Sequence, residues 1–154
     1  MSDVQEILAV AEKRAIEKRL PYAGALTPQE ADAVLRADVN AQLVDVRTKA
    51  ELELVGRIPS ALHVEWAFYP AMVANPDFAK QLQAELQQKG ADKDTVIMFL
   101  CRTGGRSHNA AVVAESLGYL HAYNVLEGFE GDANEYKQRT LINGWKRAGL
   151  PWTN

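Results

Sequence analysis

Cysteine and histidine are scarce in this chain of 154 residues, which has one cysteine, Cys101, and three histidines. A lone cysteine cannot form a disulfide within the chain, and its presence is typical of a protein from a reducing compartment. The histidines, His63, His108 and His121, do not have the spacing of metal ligands with one another or with the cysteine. The sequence therefore predicts neither a disulfide scaffold nor a metal site, and it favours a cytoplasmic location.

Long hydrophobic runs and an excess of positive charge are also missing. No window reaches the roughly 18 apolar residues that a membrane-spanning helix needs, and the first residues, MSDVQEILAVAEKRA, lack the apolar core of a secretion signal. The net charge of -3 gives no general attraction to nucleic acid or to an anionic membrane. We therefore expect no nucleic-acid or membrane partner, so that any basic site must be local.

Helical and strand patterns alternate along the rest of the chain, and its composition, 47% hydrophobic and 24% charged, is that of one compact domain. Alternation of this kind is typical of an α/β fold with a mostly parallel sheet. The sequence Thr27-Pro-Gln-Glu30 has the pattern of a helix capping box. The predicted helices cover about residues 3–19, 28–37, 77–89 and 106–117, and the predicted strands lie just before residue 28 and at 42–46, 61–64, 95–100 and 122–126.

Cys101 comes where the apolar run 96-VIMFL-100 stops and a polar loop begins. The loop residues that follow it are Arg102, Thr103, Gly104, Gly105 and Arg106. The two glycines allow a sharp turn and a close approach of backbone N–H groups to the sulfur. A helix N-terminus and two nearby arginines favour the thiolate over the thiol. The loop would lie at the carboxyl end of a parallel strand, where such sheets bind ligands, and it therefore predicts a nucleophilic thiolate that acts on an anion or becomes one.

The loop C-R-T-G-G-R-S resembles the active-site loop of single-domain rhodaneses, the thiosulfate-type sulfurtransferases. The blocks 43-LVDVRTKAEL-52, 56-GRIPSALHVEW-66, 118-GYLHAYNVLEGFEG-131 and 144-GWKRAGLPW-152 extend the resemblance over about residues 23–152. Where the family usually has G-H-I-P-G-A, this chain has Arg57 and Ser60 in place of the histidine and the second glycine. These positions are not catalytic in the family, so the departure implies only a changed local surface.

The resemblance implies a three-layer α/β fold in which helices flank a mostly parallel central sheet. Residues 23–154 would form the rhodanese-like domain, and residues 1–22 an additional amphipathic helix at the N-terminus. The resemblance gives no oligomeric state and no purpose for that helix, and we expect it to pack on its own domain.

The resemblance also implies a chemistry. Cys101 would attack the outer sulfur of thiosulfate or a similar small anionic donor, carry it as a persulfide, and pass it to a thiol or to cyanide. No cofactor is then needed beyond the transient persulfide. Arg102 is expected to face the donor, Arg106 to close the loop and pair with Asp45, and the N–H groups of residues 102–106 to stabilise the charge on the persulfide.

The remaining candidates are supporting residues. Ser107 follows the loop directly, and Asp45 with Arg47 is expected to form an ordinary solvated pair, although Arg47 is also four residues from Glu51. His63 and His121 are expected to be core residues, whereas His108 would cap its helix or be exposed. The aromatic residues Trp66, Phe68 and Tyr69 either wall the active-site pocket or cover the core, and the sequence does not decide between these two roles.

Two other functions use a similar loop. A protein persulfide carrier in a sulfur-relay pathway would receive its sulfur from another protein, which would then be its partner. A phosphatase or arsenate reductase of the related fold would bind an oxyanion. The length of the loop favours sulfur transfer over oxyanion chemistry. The loop C-R-T-G-G-R has six residues, whereas related phosphatases have C-x-x-x-x-x-R, whose longer loop has room for a tetrahedral oxyanion.

Overall fold

The protein is described by a computed structural model over residues 3–154. Its five helices there are α1 (Asp3–Lys18), α2 (Pro28–Ala37), α3 (Lys49–Val55), α4 (Phe78–Gln88) and α5 (Gly105–Ser116). The strands are β1 (Gly24–Leu26), β2 (Gln42–Asp45), β3 (Leu62–His63), β4 (Ala67–Phe68), β5 (Val73–Ala74), β6 (Ile97–Leu100) and β7 (Ala122–Val125). None of these helices is long and apolar enough to cross a membrane.

Five strands form a parallel sheet in the order β1-β7-β6-β2-β3. Successive side chains of each strand point to opposite faces, so β2 and β6 supply two separate cores. Val44 and Phe99 belong to the core under α4 and α5, whereas Leu43 and Met98 belong to the core under α1 and α2. The predicted three-layer α/β fold, with helices on both faces of a parallel sheet and an extra N-terminal helix, is confirmed.

Two capping boxes fix the starts of two helices. At α2, Thr27 accepts a hydrogen bond from the Glu30 N–H, and the Glu30 carboxylate accepts one from the Thr27 N–H, as the sequence predicted. Thr48 and Glu51 form the same arrangement at α3. The sequence analysis missed α3, although Thr48-Lys-Ala-Glu51 carries the same signal, and it also missed the short antiparallel pair of β4 and β5.

Helix α1 packs directly on the sheet and on α2. Its buried residue Ala11 lies so close to β1 that a Cβ at Gly24 would be 2.7 Å from the Ala11 carbonyl carbon. Arg14 forms an ion pair of 2.6 Å with Glu30 and donates a second bond, of 2.8 Å, to the Ala25 carbonyl. The helix is therefore attached by a close backbone contact and by an ion pair, both to its own domain.

We expect Gly24→Ala to lower the free energy of unfolding by about 1–3 kcal/mol, because the new methyl group would overlap backbone atoms that cannot rotate away. Urea unfolding at pH 7 measures this loss. Gly105→Ala is the matched control, since no heavy atom lies within 4 Å of a Cβ built there. Equal stability of the two variants would contradict a tight junction between α1 and β1.

Candidate active site

Strand β6 carries Cys101 to the carboxyl edge of the sheet, in the strand-loop-helix arrangement predicted from the sequence. All four residues of β6 are buried, Cys101 follows them with 1% of its surface exposed, and α5 begins at Gly105. Gly104 makes the turn with a φ of 114°, a backbone conformation that residues other than glycine rarely adopt. Its N–H donates to the cysteine Sγ at 3.1 Å. The sulfur thus lies at the N-terminal end of a helix of twelve residues, where the helix dipole favours negative charge.

The backbone of the segment after β7 is hydrogen-bonded to the cysteine loop. The carbonyl of Cys101 accepts a hydrogen bond from the Phe129 N–H at 2.8 Å, and the carbonyl of Arg102 accepts one from the Glu130 N–H at 3.0 Å. A Cβ at Gly128 would be 2.5 Å from the Cys101 carbonyl oxygen, so only glycine fits there. The role of Gly128 was not predicted from the sequence, because its close approach depends on the packing of two distant segments.

Ser107 and Asn124 are buried beside the sulfur. The Asn124 Nδ2 donates to the Gly104 carbonyl at 3.2 Å, which directs Oδ1 toward the Ser107 hydroxyl at 2.6 Å. Ser107 Oγ also lies 3.3 Å from Cys101 Sγ. A hydroxyl has one proton, and the short contact with Oδ1 takes it, so a lone pair of Oγ faces the sulfur. Ser107, predicted as a supporting residue, is in contact with the nucleophile, whereas the sequence analysis missed Asn124.

Arg106 pairs with Glu51 and not with Asp45 as expected. Its two terminal nitrogens lie 2.7 and 2.9 Å from the two carboxylate oxygens, and both side chains are mostly buried. Burial opposes ionisation of Glu51, but the hydrogen bond from Arg106, the Thr48 N–H and the arginine charge together lower the pKa of Glu51 to about 2. The expected partner was wrong because α3, which presents Glu51 to the loop, was not predicted.

Asp45 and Arg47 form a buried pair, so the expectation of a solvated pair was wrong. Arg47 is fully buried, its Nη2 is 2.7 Å from Asp45 Oδ2, and the same nitrogen donates to the Gly56 carbonyl at 3.0 Å. The centroid of the Phe129 ring lies 4.1 Å from the guanidinium carbon, while Arg47 Nη1 has no hydrogen-bond partner among residues 3–154. Burying this pair costs desolvation free energy, which its contacts offset. These contacts hold β2, the end of α3 and the Phe129 segment together around the Arg47 guanidinium.

Arg102 and Thr103 lie at the surface of the loop. The Arg102 side chain is 47% exposed, and its Nε is 3.2 Å from a carboxylate oxygen of Glu130. The arginine that was expected to face a donor anion therefore has an acidic partner from the segment after β7. Thr103 is partly exposed.

The histidines and the aromatic residues lie in different environments. His63 is satisfied within the fold by a 2.7 Å hydrogen bond to the Arg47 carbonyl. His108 neither caps α5 nor is free, because its Nδ1 lies 2.7 Å from the Tyr22 hydroxyl. Trp66 packs edge-on against Phe78 in the core, with ring centroids 4.8 Å apart.

A cleft of about 390 Å³ runs along the cysteine loop, and we call it the α3 cleft. It is lined by residues of α3, by the turn between β4 and β5, which includes Tyr69, and by Arg102 and Arg106 of the cysteine loop. Tyr69 thus lines a cavity next to the loop, unlike Trp66. Among residues 3–154 no group of three or more His, Cys, Asp or Glu side chains is placed to hold a metal ion.

Comparison with known proteins gives consistent matches. The family model described as a rhodanese-like domain matches residues 27–135. The protein RP600 of Rickettsia prowazekii (strain Madrid E) is 37% identical over 113 residues, which cover 73% of this chain and 83% of that protein. The crystal structure of Rv0390 from M. tuberculosis has a TM-score of 0.73 and 40% identity, over 86% of this chain and 98% of the other. The human single-domain sulfurtransferase TSTD1 has a TM-score of 0.52 and 26% identity, over 68% and 90%.

The Ser107 and Asn124 contacts predict different effects of two substitutions. Asn124→Ala frees the Ser107 hydroxyl, which should then donate to the anionic sulfur in preference to the neutral Gly104 carbonyl 3.1 Å away. Alkylation of Cys101 at pH 7 should become about threefold faster, because the thiolate is the nucleophile. Ser107→Ala removes only the lone pair that faces the sulfur, so it should not slow alkylation. Iodoacetamide labelling followed by mass measurement gives both rates. The double variant should behave like Ser107→Ala; a double variant that keeps the full gain of Asn124→Ala, or a Ser107→Ala variant that is slower than the unchanged protein, would contradict the arrangement.

The lowered pKa of Glu51 predicts a pH dependence of stability. A carboxyl whose pKa falls from 4.5 to about 2 on folding stabilises the protein above pH 4.5, and this contribution is lost as the pH falls toward 2. We therefore expect Glu51→Gln to lose up to about 3 kcal/mol at pH 7. The difference from the unchanged protein should shrink steadily between pH 4.5 and 3 in urea unfolding. A difference that stays constant over that range would show that the ionised carboxylate is not responsible.

Proposed function

Because this chain belongs to the rhodanese-like domain family, we propose that it is a sulfurtransferase that moves sulfane sulfur from thiosulfate or a similar donor to a thiol or cyanide. Sulfur transfer in general is supported by the family match and by the likeness to the human single-domain sulfurtransferase. The observation that carries the specific proposal is the position of Cys101. Cys101 directly follows a buried strand, and its Sγ accepts a hydrogen bond from the Gly104 N–H at the start of α5.

The reaction has two steps, each an attack of one sulfur on another. In the first, the Cys101 thiolate attacks the outer sulfur of thiosulfate; a sulfur–sulfur bond forms, the donor's own sulfur–sulfur bond breaks, and sulfite leaves with the electron pair. In the second, an acceptor thiolate or cyanide attacks the outer sulfur of the persulfide, and the electron pair returns to Cys101. Sulfite leaves without a proton, so the site needs no acid.

The residues around Cys101 fit these two reaction steps. The helix N-terminus and the Gly104 N–H supply a positive field to the sulfur without titrating. Arg106, whose two terminal nitrogens donate to the two carboxylate oxygens of Glu51, fixes the start of α5. Arg102 is the loop cation that solvent reaches, and we propose that it contacts the donor anion after its bond to Glu130 opens.

We further propose that the protein acts in the cytoplasm, in keeping with its single reduced cysteine, and that the transient persulfide serves in place of a resident cofactor. A persulfide carrier in a sulfur relay uses the same Cys101, and its donor would be a persulfidated protein. Comparing the rate of Cys101 loading by thiosulfate with the rate from a persulfidated cysteine desulfurase separates the two roles.

We expect thiosulfate treatment to add one sulfur atom, about 32 Da, to the protein, because the attacking thiolate keeps the donor's outer sulfur. Intact-mass measurement detects the adduct, cyanide should remove it, and Cys101→Ser should not acquire it.

The same preparation tests the phosphatase alternative. The loop from Cys101 to Arg106 is one residue shorter than the phosphatase loop, so we expect no hydrolysis of p-nitrophenyl phosphate. Absence of the sulfur adduct, together with phosphatase turnover that Cys101→Ser abolishes, would overturn the proposal.

A further inference from the structure

We propose that the α3 cleft binds the body of the sulfur acceptor, and that this acceptor is a thiol with an uncharged apolar body, such as an aryl or arylalkyl thiol. The inference rests on the proposed sulfur transfer and names the class of acceptor for it. It follows from three properties of the cleft: its apolar walls, the pairing of all its charges, and its position along the cysteine loop.

The walls of the cleft expose apolar side chains to solvent. Leu54 on α3 is 79% exposed, and Tyr69 and Met72 on the opposite wall are 62% and 44% exposed. Val55 and Pro70 complete the apolar surface. Exposed apolar residues that converge on one concavity gain free energy when an apolar group displaces the water between them.

The charged residues that line the cleft in the described part of the chain are all paired with one another. Glu51 pairs with Arg106 through two hydrogen bonds, and Glu130 pairs with Arg102. Two carboxylates therefore neutralise two guanidinium groups in the cleft. A charged acceptor held in the cleft would have to break one of these ion pairs, as we propose for the anionic donor at Arg102, whereas an uncharged body leaves both intact.

The position of the cleft connects it with the reaction. Arg102 and Arg106 belong to the loop that begins at Cys101, so a ligand in the cleft lies beside that loop. The volume of about 390 Å³ is in the range of small-molecule sites. The acceptor thiolate would attack the outer persulfide sulfur; one sulfur–sulfur bond forms, the bond to Cys101 Sγ breaks, and the acceptor leaves as its own persulfide.

The experiment begins with protein that thiosulfate has converted to the persulfide, as checked by mass. The rate of sulfur loss is then measured with benzyl mercaptan, with 2-mercaptoethanol and with mercaptoacetate. Leu54→Asp and Met72→Asp place a charge in the cleft, and Ile142→Asp is the matched control, since Ile142 is 53% exposed and does not line the cleft. Taking the ratio of each variant to the unchanged protein removes the intrinsic reactivity of each thiol.

We expect the two cleft variants to lower the benzyl mercaptan rate about tenfold, with the 2-mercaptoethanol rate changed less than about twofold. Ile142→Asp should change neither rate. An equal fall for both thiols, or no fall for benzyl mercaptan, would overturn the proposal. So would a concentration-dependent dimer that Leu54→Asp dissociates, because a second copy of the chain would then cover the cleft.

A second measurement does not depend on sulfur transfer. Benzyl methyl sulfide has the same apolar body but no thiol, and its binding is followed through the methyl NMR signals of Leu54 and Met72. We expect saturable shifts of both signals that mercaptoacetate does not produce, and we expect the Met72 shift to be lost in Leu54→Asp. If no persulfide forms but these shifts are present, the proposed function fails and the apolar site remains; absence of the shifts overturns the site itself.

Discussion

The buried ion pair between Arg47 and Asp45 is the interaction on which the site depends. It fixes the carboxyl end of β2, and through the Gly56 carbonyl it also fixes the end of α3. The Phe129 ring covers the guanidinium, and the N–H of the same residue holds the carbonyl of Cys101. A charge that is removed from water needs partners within the fold, so the burial of Arg47 favours the arrangement that brings these segments together around it.

Glu51 connects the local order of the chain with the geometry of the loop. One carboxylate completes the capping box of α3 with Thr48 and also holds both terminal nitrogens of Arg106 on α5. The starts of two helices are therefore coupled through a single side chain, which is mostly buried and carries its charge over the whole neutral range. The sulfur depends on this coupling indirectly, because the Gly104 N–H that contacts it precedes the same turn of α5.

Much of the fold was accessible from the sequence because its signals are local. The capping box at Thr27, the apolar run ending at Leu100 and the glycine turn after Cys101 each depend on neighbouring residues, and the motif resemblance placed them in one fold. Partners across the fold were not accessible. Arg106 and Glu51 are 55 residues apart, and their pairing depends on α3, a helix of seven residues that was not predicted. The orientation of Asn124 likewise follows from packing alone.

The close packing of Gly128 limits how far the cysteine loop can move when an atom is added to Cys101. Backbone of this residue rests against the carbonyl groups of Cys101 and Arg102, with no space left for even a methyl group. The loop cannot retreat toward that segment when the cysteine gains an atom. Any adjustment that a second sulfur on Cys101 requires must therefore come from other parts of the site, so this contact keeps the loop backbone in place while its cargo changes.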